Sequence, residues 1–418
     1  MMQAKALFLT SALLMTVEAI AQDSLYTRRI LEDLTAPAMH GRGYVKNGSN
    51  RAGAYLEKEF RAIGLQPVPG HGYRQYFDLP VNRFTRKTKV EIDGRKLRPG
   101  VDYLVSPGSP SVKGSFDIIT LKQVQGWNDK ESAKGKWLYL DTINGGSSPS
   151  KEELKQWKSE LSGVAGVVYP EPKKLTWSVS RNRTTLPELT IVPGLITENP
   201  GRIHVRVSSR HEERYRVFNV IGSIPGSIES DTTLYVTAHY DHLGCMGPGT
   251  CFPGANDNAS GVSMLLNIAR HFIKPENRPR HRMVFIAFAA EEAGLVGSKF
   301  YTDNPWTPLH KIKFLLNLDL LGTGEEGLMV VNATEHPLEF NLLDSLNRSG
   351  GWLKEIRQRG KAANSDHYWF SEKGVPAFFC YTLGGSTAYH DIHDKPEGLS
   401  LSKYREVFSL LTKFLQEP

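Results

Sequence analysis

Downstream of Phe218 the chain repeats one pattern, and that pattern limits the folds open to it. Short runs of apolar, β-branched and aromatic residues (Leu234–Ala238, Met283–Ala289, Phe314–Leu318, Leu328–Val331, Ala377–Tyr381) alternate with stretches of helical spacing (Ser260–Ile273, Leu338–Leu346, Lys403–Leu415). Runs with so little polar alternation read as buried strands. Strands alternating with helices predict an α/β sheet covered by helices on both faces. In such sheets the active site occupies the crevice at the carboxyl ends of the strands.

The residues that follow each predicted strand are therefore the ones to examine. His239 and Asp241 follow the first, Glu291 and Glu292 the second, Asp319 the third, and His390 lies one loop beyond the last. Asp257, in Gly254-Ala255-Asn256-Asp257-Asn258, sits just before a predicted helix. Each has an ordinary explanation alone: a helix cap for Asp257, a solvated helix start for Glu291 and Glu292, structural histidines for His239 and His390, a turn for Asp319. Together they converge on one sheet edge, and imidazoles with carboxylates are the usual ligands of catalytic zinc. A two-metal hydrolase needs one carboxylate shared between the ions, and the loop position of Asp257 suits that. His239, Glu292, Asp319 and His390 would be terminal ligands. Glu291 would remain free to take a proton from the attacking water, and Asp241 would orient the His239 imidazole through its other nitrogen.

The stretch from about Lys87 to Arg210 reads differently. Short β-like runs (Trp137–Leu140, Gly166–Tyr169, Leu189–Val192, His204–Val207), one helix at Lys151–Leu161 and many turn residues indicate an inserted accessory domain without clustered ligands. Ahead of it, Ala52, Leu56, Phe60 and Ile63 recur at helical spacing and Gly64 supplies a stop. At the amino end, Lys5, an apolar run from Ala6 to Val17 and Ala19-Ile20-Ala21 read as a secretory signal cut before Gln22. The expected organisation is thus a signal peptide (1–21), a first part of the catalytic domain (22–86), the insert (87–210) and the main catalytic part (211–418). The exported chain would be periplasmic or extracellular, with no integral membrane segment. The 51 Lys+Arg against 44 Asp+Glu leave +7. This excess forms no block of like charges that would suggest a nucleic-acid arm, so it reads as solvated surface and nucleic acid is not an expected partner.

These segments resemble the co-catalytic di-zinc aminopeptidases, metallopeptidase family 28 of clan MH. That family includes secreted leucine aminopeptidases, aminopeptidase Y, glutamate carboxypeptidase and glutaminyl cyclase. The resemblance rests on AHYDH, GANDNASG, AAEEAGLVGS, NLDLLG, SDHYWF and AYHDIHDKP, and on GRGYVKNGSNRAGAYLEKEF before the insert. It implies the zinc-exopeptidase fold, a central mostly parallel mixed sheet. It implies two zinc ions, one on His239, Asp257 and Asp319 and the other on Asp257, Glu292 and His390, with Glu291 as general base and then acid. Tyr389 would be an oxyanion donor, and the Asp257–Asn258 peptide would be cis. The insert resembles a protease-associated (PA) domain through GKWLYLD, GVAGVVY and LPELTIVPG. Where relatives commonly read Tyr-His-Thr, Asp391 follows His390 here, with a further His393; Asp394 keeps the usual spacing. The implied activity is release of N-terminal residues from peptides with a free N-terminus. A glutaminyl cyclase, a carboxypeptidase and an inactive binding homologue are the alternatives.

Cys245 and Cys251 bracket CMGPGTC, a loop whose glycines and proline permit a tight closed turn. In an oxidising compartment they are expected to form a disulfide that stiffens a rim of the substrate cleft. Cys380, within an apolar run, should remain a free buried thiol.

Overall fold

A computed structural model describes residues 24–121, 132–140 and 163–417. The signal peptide expected at 1–21 and the helix expected at Lys151–Leu161 lie outside these residues. Among the described residues no helix is long and apolar enough to cross a membrane.

The apolar runs after Phe218 assemble one eight-stranded sheet. Its order is Arg74–Phe84, Ser209–Ile224, Arg282–Phe288, Thr233–His239, Ile312–Leu318, Ala377–Leu383, Gly327–Val331 and Ile356–Arg359. The four central strands run parallel, with the His239 strand between those ending at Phe288 and Leu318. Side chains alternate between the sheet's two faces, as strand geometry requires. Leu234, Val236, Phe285 and Leu316 join one core with the helices Gly48–Ile63, Gly261–Phe272 and Tyr404–Gln416. Tyr235, Val284, Ile286 and Leu315 face the other, with Tyr301 and Phe370 from the helices Val296–Asp303 and His367–Glu372. Both faces are apolar because both are covered, which is why these strands lack a polar alternation. The first helix ends where Gly64 takes the left-handed conformation (φ 96°) and donates back to Phe60 and Arg61.

The chain leaves this sheet at Phe84 and returns at Ser209, two residues paired directly across antiparallel strands. Between them lies a second eight-stranded sheet, in the order Arg95–Leu97, Lys89–Ile92, Arg202–Val207, Val112–Thr120, Trp137–Tyr139, Gly166–Pro170, Glu188–Ile191 and Tyr103–Val105. Its core extends onto Leu243, Met246 and Phe252 of the catalytic part, so the two sheets are joined by packed side chains as well as by chain. Trp177 completes this junction. Its ring stacks on Phe252 with centroids 4.8 Å apart, and its indole N–H donates to Val105.

Candidate active site

All the expected site residues except Asp241 line one small cavity of about 200 Å³ at the carboxyl ends of the central strands. His239 is the last residue of its strand, and its Nε2 lies 3.3 Å from Asp319 Oδ2 and 3.4 Å from Asp257 Oδ1. The other oxygen of Asp257 faces His390 Nε2 at 3.1 Å, and that nitrogen is 3.3 Å from Glu292 Oε2. Asp257 thus stands between two imidazole–carboxylate sets with one oxygen toward each. His393 is exposed and does not line the cavity.

Several local devices hold Asp257 there. Gly254 turns the chain at φ 66°, where a Cβ would fall 2.2 Å from the Asp257 carbonyl oxygen. The Asp394 carboxylate accepts from the amides of Asn256 (2.8 Å) and Asp257 (3.0 Å), tying this loop to the His390 loop. The Asp257–Asn258 bond is cis. Beneath the loop Arg42 is fully buried, and its guanidinium donates to the carbonyls of Tyr240, Leu34, Pro253, Gly254 and Asp257.

Asp319 receives a hydrogen bond from Ser365 Oγ at 3.2 Å. Ser365 in turn accepts from Asn317, whose side-chain oxygen accepts from Thr237. Ala290, Leu320 and His390, each beside or at a ligand-type residue, all adopt left-handed backbone conformations (φ 60°, 54° and 56°). Non-glycine residues rarely do so outside sites where the surroundings over-determine them.

Asp241 acts differently from expectation. The nearest partner of His239 Nδ1 is the Asp241 backbone carbonyl at 3.2 Å, while the carboxylate is 3.9 Å away. That carboxylate instead accepts from the amides of Glu291 (3.0 Å) and Glu292 (3.3 Å), and so positions the pair of glutamates. The disulfide also sits elsewhere than expected. Cys245 and Cys251 are bonded, with Cα atoms 4.0 Å apart, and Cys380 is free and buried. Their loop contributes nothing to the lining of the catalytic cavity. Cys251→Ser should therefore lower stability by on the order of 2–3 kcal/mol without changing metal content. Denaturant unfolding beside metal analysis checks both, and an unchanged unfolding midpoint would contradict it.

Sequence reasoning passed over His242, Lys174 and Ser365. His242 is fully buried, 2.7 Å from Glu292 Oε1 and 3.9 Å from Asp257 Oδ1. His242, Asp257 and Glu292 could hold one cation, and His239, Asp257 and Asp319 another. His390 competes with His242 for the first of these. His390 approaches Asp257 Oδ2 and Glu292 Oε2, whereas His242 approaches Glu292 Oε1. Lys174, from the insert, clamps the His390 loop through the carbonyls of Thr387 and Tyr389 and the Asp391 carboxylate. The Trp177 amide donates to His390 itself. Tyr389 is half exposed and stacks on His390 at 3.9 Å. Asp366 and His367 are fully buried behind the site.

The charges around the cavity act on one another at short range. Burial alone would lower the pKa of His239, yet Asp319, Glu291 and Asp257 together hold it well above the usual value. Burial also works against His390, but its hydrogen bonds to Asp257 and Glu292 raise it to about 10. Burial pushes Asp241 up to about 7. The Glu291 carboxyl is raised well above its ordinary range by burial, and Glu292, Asp366 and Asp319 add to that. Glu292 is held low despite its burial, because His242 and His390 hydrogen-bond to it. Concentrated buried carboxylates with protonated imidazoles are what a cation site looks like when protons stand in for metal. The buried Asp319 Oδ1 has no hydrogen-bond partner, as a metal-facing oxygen would not.

The profile of Peptidase family M28 matches residues 219–415, from the strand beside Gln75 through the last helix. That segment, just under half of the chain, is similar to peptidase family M28. Among relatives, the aminopeptidase YwaD of Bacillus subtilis (strain 168) is 28% identical over 362 residues, covering 81% of this chain and 75% of that protein. A probable zinc metalloprotease of Pyricularia oryzae is 35% identical over 132 residues, a local match covering 31% of this chain and 26% of its own length. The structure of BSAP, a zinc aminopeptidase from Bacillus subtilis, superposes with a TM-score of 0.70 at 20% identity, covering 94% of each chain. That likeness establishes a shared fold across the M28 part and the insert.

Proposed function

We propose that this chain is a zinc-dependent aminopeptidase that uses two zinc ions to hydrolyse the N-terminal peptide bond of peptides. The observation that carries this reading is the two-sided Asp257 carboxylate, with His239, itself beside Asp319, at one oxygen and His390, itself beside Glu292, at the other. The names of the relatives, an aminopeptidase and a zinc metalloprotease, support the same reaction class. His239, Asp257 and Asp319 would hold one ion and Asp257, Glu292 and His390 the other. When bound, zinc supplies Lewis acidity and lowers the pKa of coordinated water. Glu291 would accept the proton of the attacking water and return it to the leaving amine. Asp241, by holding the Glu291 and Glu292 amides, keeps base and ligand on opposite duties. His242 would orient Glu292 from behind, and Tyr389, at the cavity mouth, would donate to the developing oxyanion. Export of the mature chain is part of this reading, supported by the leader-like residues 1–21 and by the Cys245–Cys251 bond.

Aminoacyl-chromogenic substrates and N-acetylated counterparts, assayed with and without chelator, test the reaction. Activity on free amines alone, abolished by chelator and restored by zinc, is expected. Equal cleavage of blocked peptides would sink the aminopeptidase reading, and one zinc per chain by native mass spectrometry would favour the cyclase. Zinc affinity should strengthen as pH rises. His390 holds its proton up to about pH 10 in the metal-free chain, so a proton must leave when the metal enters. A flat affinity between pH 6 and pH 8 would contradict this assignment.

A further inference from the structure

A second cavity is larger than that of the candidate active site. It is a groove of about 700 Å³ on the inserted unit, where that unit meets the Cys245–Cys251 loop. On the outer face of three adjacent strands, Lys89 stands directly opposite Arg206, and Arg206 directly opposite Lys113. Like charges directly across a sheet are destabilising. None of the three forms an ion pair among the described residues, and all line the groove. The next row carries Lys96, Glu91 and His204 in register, and Lys87 adds a further cation with its stem against Gly249. Val90, Leu97 and Met246 border the groove, with side chains packed in the core behind this face.

We propose that this groove is a binding site for acidic peptide segments. Its volume lies within the roughly 300–1,000 Å³ of ligand pockets. The unpaired row of cations calls for carboxylates, which would relieve a repulsion that the fold leaves standing. Glu91, set between Lys96 and His204, breaks the positive field, which suits spaced carboxylates and opposes a dense sulfated or phosphorylated polymer. This site is independent of the chemistry at the catalytic cavity, so it stands or falls separately from the proposed activity.

The probe is an N-acetylated, fluorescein-labelled peptide of alternating glutamate and leucine, which offers no free amine to the catalytic cavity. Fluorescence anisotropy with the full chain should show saturable binding that weakens with salt, and a glutamine–leucine peptide should not bind. The triple variant Lys89→Gln, Lys113→Gln, Arg206→Gln should weaken binding by roughly tenfold or more. A control double variant, Lys58→Gln with Lys354→Gln, should leave it unchanged. All these side chains are exposed or half-buried, and an unaltered thermal midpoint confirms that the triple variant is folded; single Lys113→Gln serves if it is not. Equal binding of both peptides, loss in the control variant, or capture of heparin oligosaccharide without the glutamate peptide would each overturn the proposal.

Discussion

Glu291→Gln should lower kcat by roughly 10²–10⁴-fold while zinc content and folding stay as in the parent chain. Glu291 lines the cavity with the ligand-type residues, but the carboxylate that faces His390 and His242 belongs to its neighbour. The amide replacement keeps shape and hydrogen bonding and removes only the capacity to take a proton. Glu292→Gln is the contrasting variant. It removes charge from a group that two histidines hold ionised, so zinc should be lost along with turnover. Elemental analysis beside steady-state kinetics separates the two outcomes. If Glu291→Gln loses zinc and Glu292→Gln retains it, the roles are exchanged; if Glu291→Gln keeps full turnover, the base lies elsewhere. The pH profile adds an independent mark. A base must be unprotonated to act, so kcat/KM should fall as pH drops through the Glu291 pKa, and that acid limb should vanish in Glu291→Gln.

The catalytic sheet was legible because its strands are buried on both faces and so read as unbroken apolar runs, such as Met283–Ala289. The convergence of the candidate site residues was legible for a related reason: parallel strands all end at one edge, so whatever follows them must meet. What escaped was everything held across long sequence separations. Asp241 shows how spacing misleads. Two residues from His239, it was expected to grip that imidazole, yet its carboxylate reaches the amides of Glu291 and Glu292, fifty residues further on. Asp394 entered the reading only through its distance from His390, although it anchors the Asp257 loop. Lys174 lies in a segment with no ligand-type clusters and still holds the His390 loop by three contacts. The cation row follows the same rule. Lys89, Lys113 and Arg206 are scattered in sequence and read there as solvated surface, and only strand register brings them side by side.

Arg42 carries the largest expected effect on stability. It is a charged side chain with no exposed surface, and each of its five N–H groups meets a backbone carbonyl. Those carbonyls belong to Leu34, Tyr240 and the Pro253–Asp257 turn, three segments that this one side chain ties together. Burial lowers its pKa to about 10, and Asp257, Asp394, Asp241 and Glu292 act in the opposite sense, so it remains charged at neutral pH. Removing it would leave several buried acceptors unpaired and take away a positive charge that acts on Asp257, Asp394, Asp241 and Glu292. Arg42→Met should therefore cost on the order of 3–5 kcal/mol. Arg42→Lys keeps the charge but offers three donors without the planar fork, so it should recover only part of that loss. Because the same contacts fix the turn that presents Asp257, both variants should also bind zinc more weakly than the parent chain, in the same order. Thermal unfolding of the metal-free and zinc-loaded forms reads both effects. A parent-like midpoint and zinc content in Arg42→Met would show that the Asp257 turn holds its shape without the guanidinium beneath it.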